Sequence, residues 1–312
     1  MKTAQNKSKK TNTKRMGGKN TYMYILLFPA IIATFIFHYL PFLGIGIAFK
    51  DYDALAGFFA SPWVGLENFK KVLTMPNFTG SIKNTLIYSS VMLFGKFPFP
   101  IILALLFNEL RNKSFKRVSQ TITYFPHFLS WASVCGLVYA MFAIEGPVND
   151  VLVKIFGEGF ERKNILMDSS NFLGVMFWTS LWKEVGWSTV IYLAAITGID
   201  SSLYEAAEID GANRFQQVQH ITIPAISETM ILLLILGLGG IMSTSFEMVY
   251  GLQNVYIQSE TEVIGTVVYR EGIQSGEYSL ATALGLMQGI VSLILVMSAN
   301  YLSKKTSQVG LW

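Results

Sequence analysis

Long apolar runs alternate with short polar ones along the whole chain, at a spacing set by membrane thickness. Crossing a bilayer as a helix takes about 20 predominantly apolar residues. Six runs meet that length, near residues 24–47, 85–107, 125–143, 172–196, 230–250 and 280–302. Two intervals between them, residues 51–80 and 144–171, are longer and hold turn formers such as Pro62, Pro76, Gly146, Pro147, Gly157 and Gly159. They read as re-entrant or surface-lying segments, not as separate domains. Trp63 in the first of them suits the headgroup level.

One polar interval, residues 203–224, stands apart: LYEAAEIDGANRFQQVQHITIP. It is too polar to enter lipid and so folds at the membrane surface. Its grammar is helix, break, helix. Ser202 followed by Glu205 is a capping-box pattern that predicts a helix start. Leu203, Ala206, Ala207 and Asp210 then fall on one mostly small face. Gly211 supplies a left-handed stop. Asn213 with Gln216 restarts the signal, and Pro224 is expected to close the second helix.

The spacing of Glu205, Ala206, Ala207, Gly211, Ile221 and Pro224 resembles the EAA loop of permease subunits in binding-protein-dependent ABC importers. Ile223 departs from the usual leucine but keeps size and apolarity. A connector that matches by chance is the bland alternative. The resemblance extends over about residues 82–302. The first span, LLFPAIIATFIFHYLPFLGIGIAF, and the stretch from Trp63 to Phe69 look like carbohydrate permeases of the maltose and glycerol-phosphate type. Within these, the LplB-like importers of polysaccharide fragments, including uronic-acid oligosaccharides, are the most similar subgroup. The resemblance implies an all-α membrane protein of six transmembrane helices with a cytoplasmic coupling loop, the type I ABC importer permease fold. It implies a second homologous permease chain, two ATPase subunits that hold the ATP and magnesium, an extracellular solute-binding protein and an oligosaccharide cargo. Glu205, Ala206, Ala207, Asp210, Gly211, Ile221 and Pro224 would then couple this chain to an ATPase.

Composition agrees with a bilayer. Hydrophobic residues make up 52% of the 312 positions and charged ones 14%, against about 25% charged in soluble domains. The single cysteine, Cys135, excludes an internal disulfide and a cysteine metal cluster. Lysine and arginine decide orientation, because cytoplasmic loops carry the excess. Seven lie in residues 1–20, with Arg111, Lys113, Lys116, Arg117, Arg214, Lys304 and Lys305 on the same side; Lys50, Lys70, Lys71, Lys154, Arg162, Lys163 and Arg270 lie on the other. Fourteen against seven places both termini and the 203–224 loop in the cytoplasm. The basic tail is expected to be disordered, and the run behind it exceeds the roughly 7–15 residues of a cleaved signal region. No nucleic-acid platform follows it. No P-loop pattern occurs, so ATP hydrolysis is not expected of this chain. No cofactor, metal or catalytic group is expected either.

Charges within a membrane mark function by default, at about 2.5–3.5 kcal/mol each on insertion scales. Ser180, Lys183, Glu184 and Trp187 share a face of the fourth span, which suits a hydrated, hydroxyl-rich ligand. Lys183 and Glu184, as neighbours, point about 100° apart and are not expected to neutralise each other directly. Two readings stand for them: contact with cargo, or pairing with other helices or a partner subunit. Thr244, in the run Ser243 to Ser245 near Glu247, joins the candidate pathway. Lys96, beside Pro98 and Pro100 at an expected kink, either lines the pathway or snorkels to a partner. Gly237, Gly239 and Gly240 suit close helix packing, Gln288 and Asn300 interhelical hydrogen bonds, and His38 an interfacial position. Met242, Met248, Met287 and Met297 read as core or lipid-facing.

The expected organisation is a basic tail (1–20), a first span (21–50), an external loop (51–81), a permease core (82–302) containing the coupling loop (200–225), and a C-terminal tail (303–312). Two other functions compete. An amino-acid or peptide importer would keep the loop and change the cavity. An intramembrane enzyme would need a histidine beside Glu184 or Glu247, yet His38, His127 and His220 all lie in other segments.

Overall fold

The computed structural model describes residues 21–157, 159–243, 246–307 and 310–311; the basic tail, Thr244 and Ser245 lie outside them. The regular structure among those residues is helical, apart from one isolated antiparallel bridge, Lys50 to Trp63. Five helical stretches are long and apolar enough to cross a membrane: Met23–Phe49, Phe78–Glu109, Trp131–Phe156, Arg214–Gly239 and Tyr278–Lys305.

The chain opens with α1, Thr21–Thr34, which continues through a π turn at Phe35–Tyr39 and a 3-10 segment at Leu40–Phe49. It is apolar on every face and exposed from Met23 to Leu43, the pattern of a helix meant for lipid or another chain. Its C-terminal segment packs against the last helix. There Lys50 is buried, donating to the carbonyls of Phe58 (2.6 Å) and Ser61 (3.2 Å) with its ammonium over the rings of Phe58 and Trp63. A short helix α2, Glu67–Thr74, supplies Asn68, whose amide donates to the carbonyls of Ala48 and Lys50.

Next come α3 (Phe78–Ser90), a π turn (Val91–Gly95) and α4 (Pro98–Glu109), so the irregularity falls where the prolines predict it. After α5 (Lys113–Tyr124), a 3-10 connector at Phe125–Phe128 leads to α6 (Trp131–Phe142) and α7 (Pro147–Phe156). The third run therefore does not begin at residue 125 as one helix, because Pro126 and the Ser130 cap interrupt it. α8, Ser169–Thr197, is 29 residues long and more polar than the five stretches above.

The fifth run differs most from expectation. Helix α9 (Ser201–Ile209) is followed by α10 (Arg214–Gln217), which runs through a π turn (Val218–Thr222) directly into α11 (Ile223–Gly239). Pro224 does not close the second surface helix; it sits in the first turn of α11. A proline cannot donate to the carbonyl four residues back, and its ring clashes with that group. A π turn, with i to i+5 pairing, moves the carbonyl of His220 out of the way. The span thus begins at Arg214 and ends at Gly239, whereas residues 246–250 belong to a separate helix, α12 (Phe246–Leu252). Helices α13 (Ile264–Tyr269) and α14 (Tyr278–Ser307) complete the chain.

Three apolar clusters hold these helices. One joins Tyr88, Val138, Met176 and Leu252 across α3, α6, α8 and α12. A second joins Val72, Ile264 and Leu284. The third, Ile101, Ala104, Tyr192, Ile196 and Ile226, clamps α4, α8 and α11 beside the polar loop. Small residues permit the close approaches: a Cβ on Gly237 would lie 2.4 Å from Leu93, and one on Gly239 3.2 Å from Val296. Gln288 does bond between elements, to the carbonyl of Met242, but Asn300 instead accepts from the backbone of Leu311 in the C-terminal tail.

Candidate coupling elbow and translocation cavity

The 203–224 loop folds as an elbow whose two arms are closed by local chemistry. Its first helix is capped by Asp200, whose carboxylate accepts from the amide of Ser202 at 2.9 Å, not by Ser202 as the capping-box pattern suggested. Asp200 wins because a carboxylate at a helix N-terminus accepts a charge-assisted bond and also meets the positive end of the dipole. Those bonds from the Ser202 backbone and hydroxyl hold its carboxyl below the usual range. The cap is therefore ionised above that lowered value and is lost only as pH falls through it.

The break is a Schellman motif. The amide of Ala212 donates to the carbonyl of Ala207 (2.8 Å) and that of Gly211 to Glu208 (3.1 Å), with Gly211 at φ +79°. This is the left-handed residue that the sequence predicted. The second arm starts with a true capping box: Gln216 N donates to Asn213 Oδ1 and Asn213 N to Gln216 Oε1. Arg214 pairs with Glu208 at 3.1 Å across the bend, and the hydroxyls of Tyr204 and Thr222 meet at 2.8 Å. The angle is thus fixed by at least four independent polar contacts.

Ala207, Asp210, Gly211 and Ile221, with Gln216 and His220, line a notch of about 310 Å³. Glu205 and Ala206 lie outside it on the exposed surface of the first arm, and Pro224 is exposed at the root of α11. Among the described residues Glu205 has no ion-pair partner. Ile209 (87% exposed) and Phe215 (74%) present two large apolar side chains to solvent at either side of the bend.

The second candidate region is the middle of α8. A cavity of about 390 Å³ opens between α3, α4, α8 and α11, with Ser89, Lys96, Ser180, Trp187, Ser188 and Ser243 on its walls. Ser180 and Trp187 of the predicted face reach it. Lys183 and Glu184 turn away, toward the connector between α5 and α6. Lys183, 4% exposed, donates to the carbonyl of His127 at 2.8 Å and lies 3.4 Å from Glu184 Oε1, with its ammonium over the ring of Trp131. The two neighbours do meet, contrary to expectation, because their long stems bend further than their Cα directions suggest.

His127 completes the cluster. Its Nδ1–H donates to Glu184 Oε2 at 3.0 Å, the tautomer that a carboxylate acceptor requires, and its ring stacks on Trp187 with centroids 4.6 Å apart and planes within 1°. Sequence reasoning set His127 aside, since 56 and 57 positions separate it from its partners and no spacing rule reaches that far. Gly186 makes the contact possible: a Cβ there would fall 2.1 Å from the carbonyl oxygen of Thr123. Lys183→Met is accordingly expected to lower stability by about 2 kcal/mol, through the His127 carbonyl left unpaired. Thermal unfolding should show the loss while the cargo preference of the transporter stays unchanged; a shifted preference would return Lys183 to the pathway.

Lys96, expected either to line the pathway or to snorkel to a partner, stands on the cavity wall with its ammonium 2.7 Å from Ser180 Oγ. Thr244 lies outside the described residues. Glu247 is exposed on α12.

The family described as the inner membrane component of binding-protein-dependent transport systems matches residues 96–308. The chain is 42% identical over 295 residues to Protein LplB of Bacillus subtilis strain 168, covering 94% of this chain and 92% of that one. It is equally 42% identical over 291 residues to the polygalacturonan/rhamnogalacturonan transport system permease protein YteP of the same bacterium, covering 93% and 90%. Its backbone superposes with a TM-score of 0.84, at 37% identity, on the crystal structure of a bacterial ABC transporter involved in the import of the acidic polysaccharide alginate, covering 92% and 96%. The helical architecture is that of a type I ABC importer permease. Since the matched region runs from the kink at Lys96 through the cavity wall and the elbow to the last helix, this chain belongs to the binding-protein-dependent transport system inner membrane components.

Proposed function

We propose that this chain is one of two permease subunits of an ABC importer for oligosaccharides derived from acidic polysaccharides. Six helices cross the membrane in this reading, α8 being the sixth despite its polarity, and both termini lie in the cytoplasm. The observation that carries the reading is the elbow: a rigid, solvent-facing bend rooted through α8 and α11 in the walls of a polar intramembrane cavity. Ile209 and Phe215 offer apolar anchors and Glu205 an exposed carboxylate to a cleft on an ATPase subunit. ATP-driven closure of two such subunits would push the elbow and rock α8 against α11.

In this reading Ser180 and Trp187 touch cargo. Glu184 acts one layer behind by holding the His127 ring against Trp187, and Lys183 ties the His127 backbone in place. Uronic-acid cargo is favoured by the polysaccharides named for YteP and for the alginate importer. ATP and magnesium would bind to the ATPase subunits, and an extracellular binding protein would deliver cargo.

The reading is tested by co-purifying the chain with its neighbouring permease and ATPase, then measuring ATP hydrolysis in proteoliposomes with the cognate binding protein. Stimulation by binding protein loaded with oligogalacturonate or alginate oligomers is expected. Stimulation only by amino acids or peptides would replace the cargo class, and failure to recruit any ATPase would remove the coupling role.

A further inference from the structure

We infer that Lys96 is a specificity-determining residue of the translocation cavity, where its ammonium receives a carboxylate of the passing cargo. The inference rests on the acidic-oligosaccharide reading above and assigns that selectivity to one side chain. Three observations carry it. Lys96 closes the π turn that interrupts the second span, so its side chain leaves the helix where the backbone is already irregular and reaches the cavity wall. The wall around it is lined with hydroxyls, from Ser89, Ser180, Ser188 and Ser243, and with the exposed face of Trp187. None of the described lining residues carries a carboxylate.

The remaining acid close by on α8, Glu184, is committed to Lys183 and His127. The bond to Ser180 Oγ uses one of the three N–H donors of the ammonium and supplies no countercharge. A lysine ammonium in a membrane interior with no carboxylate bonded to it among the described residues, Glu184 acting on it only through space, is a poor structural element and a good receptor for a transient anion. Trp187 at the same wall gives a sugar ring a flat apolar surface, so charge and ring are read by different residues.

The test uses the complete transporter in proteoliposomes with its binding protein, and compares uptake of trigalacturonate with uptake of its methyl ester. Lys96→Gln keeps a donor for Ser180 and removes the charge; Lys96→Arg keeps the charge. Uptake of the acid by Lys96→Gln is expected to fall about tenfold, as befits one charge-assisted hydrogen bond, with ester uptake unchanged and Lys96→Arg close to wild type. Equal loss of acid and ester uptake, not rescued by arginine, would make Lys96 a packing residue and overturn the inference. Unchanged acid uptake by Lys96→Gln would also overturn it, leaving the acidic-cargo reading intact. Wild-type uptake confined to uncharged sugars would remove both.

Discussion

Replacing Glu205 by alanine is expected to abolish the stimulation of ATP hydrolysis by loaded binding protein while leaving basal hydrolysis and complex assembly in place. Glu205 is exposed, and among the described residues it makes no ion pair, so the substitution leaves the fold of this chain intact. Its cost falls on whatever cation of an ATPase subunit it meets. Truncating one partner of a charge pair that is buried on docking costs about 2–5 kcal/mol, largely because the other charge is left stranded. That corresponds to a loss of at least thirtyfold in the stimulated rate when docking limits coupling. The measurement is the ratio of stimulated to basal hydrolysis in proteoliposomes. A normal ratio would transfer the docking energy to Ile209 and Phe215 and leave Glu205 without the role proposed for it.

The second large effect is structural. Gly186→Ala should destabilise the chain by about 3 kcal/mol, at the upper end of the range for overpacking, since the new methyl would lie 2.1 Å from Thr123 O and 2.6 Å from Thr123 C. Both are backbone atoms, so no rotamer change relieves the conflict; α5 must move away from α8. The connector bearing His127 moves with it, and the bonds to Lys183 and Glu184 are lost together. Gly174→Ala, in the same helix with nothing within 4 Å of the added Cβ, should be neutral or stabilising by up to about 1 kcal/mol from helix propensity alone. Thermal unfolding of the purified complex separates the two. Equal midpoints for both variants would mean that α5 approaches α8 less closely than described.

Much of this architecture was legible because lipid imposes a simple rule. Apolar runs of membrane length located the first, second, fourth and last helices, and α8 agrees with its expected bounds within three residues at either end. The elbow was legible for a different reason: its glycine and its Asn213–Gln216 box are local, and local rules settle local geometry. Two local expectations gave way to chemistry that the pattern did not weigh. Asp200 outranks Ser202 as a cap by its charge, and Pro224 starts a helix because a π turn relieves the clash that would otherwise end one. The charged cluster was legible only as one of two readings, pairing of Lys183 and Glu184 with another segment, and its partner His127 was not. Lys183, Glu184 and His127 meet through a glycine contact between helices that nothing in a linear pattern announces.

Three prolines, Pro41, Pro98 and Pro224, each follow a π turn that contains the residue four positions before them. A wide turn accommodates one residue more than an ordinary helical turn, so each of these sites fixes the rotational phase of what lies on one side against what lies on the other. Helical residues advance about 100° each. Deleting a single residue from Val218–Thr222 would leave α11 seated in the bilayer but swing the elbow by roughly that angle, aiming Glu205 and Phe215 elsewhere. Chain length at these three points is therefore a setting of direction, and a gap of one residue at the third of them is expected to re-aim the elbow against the docking partner proposed for it.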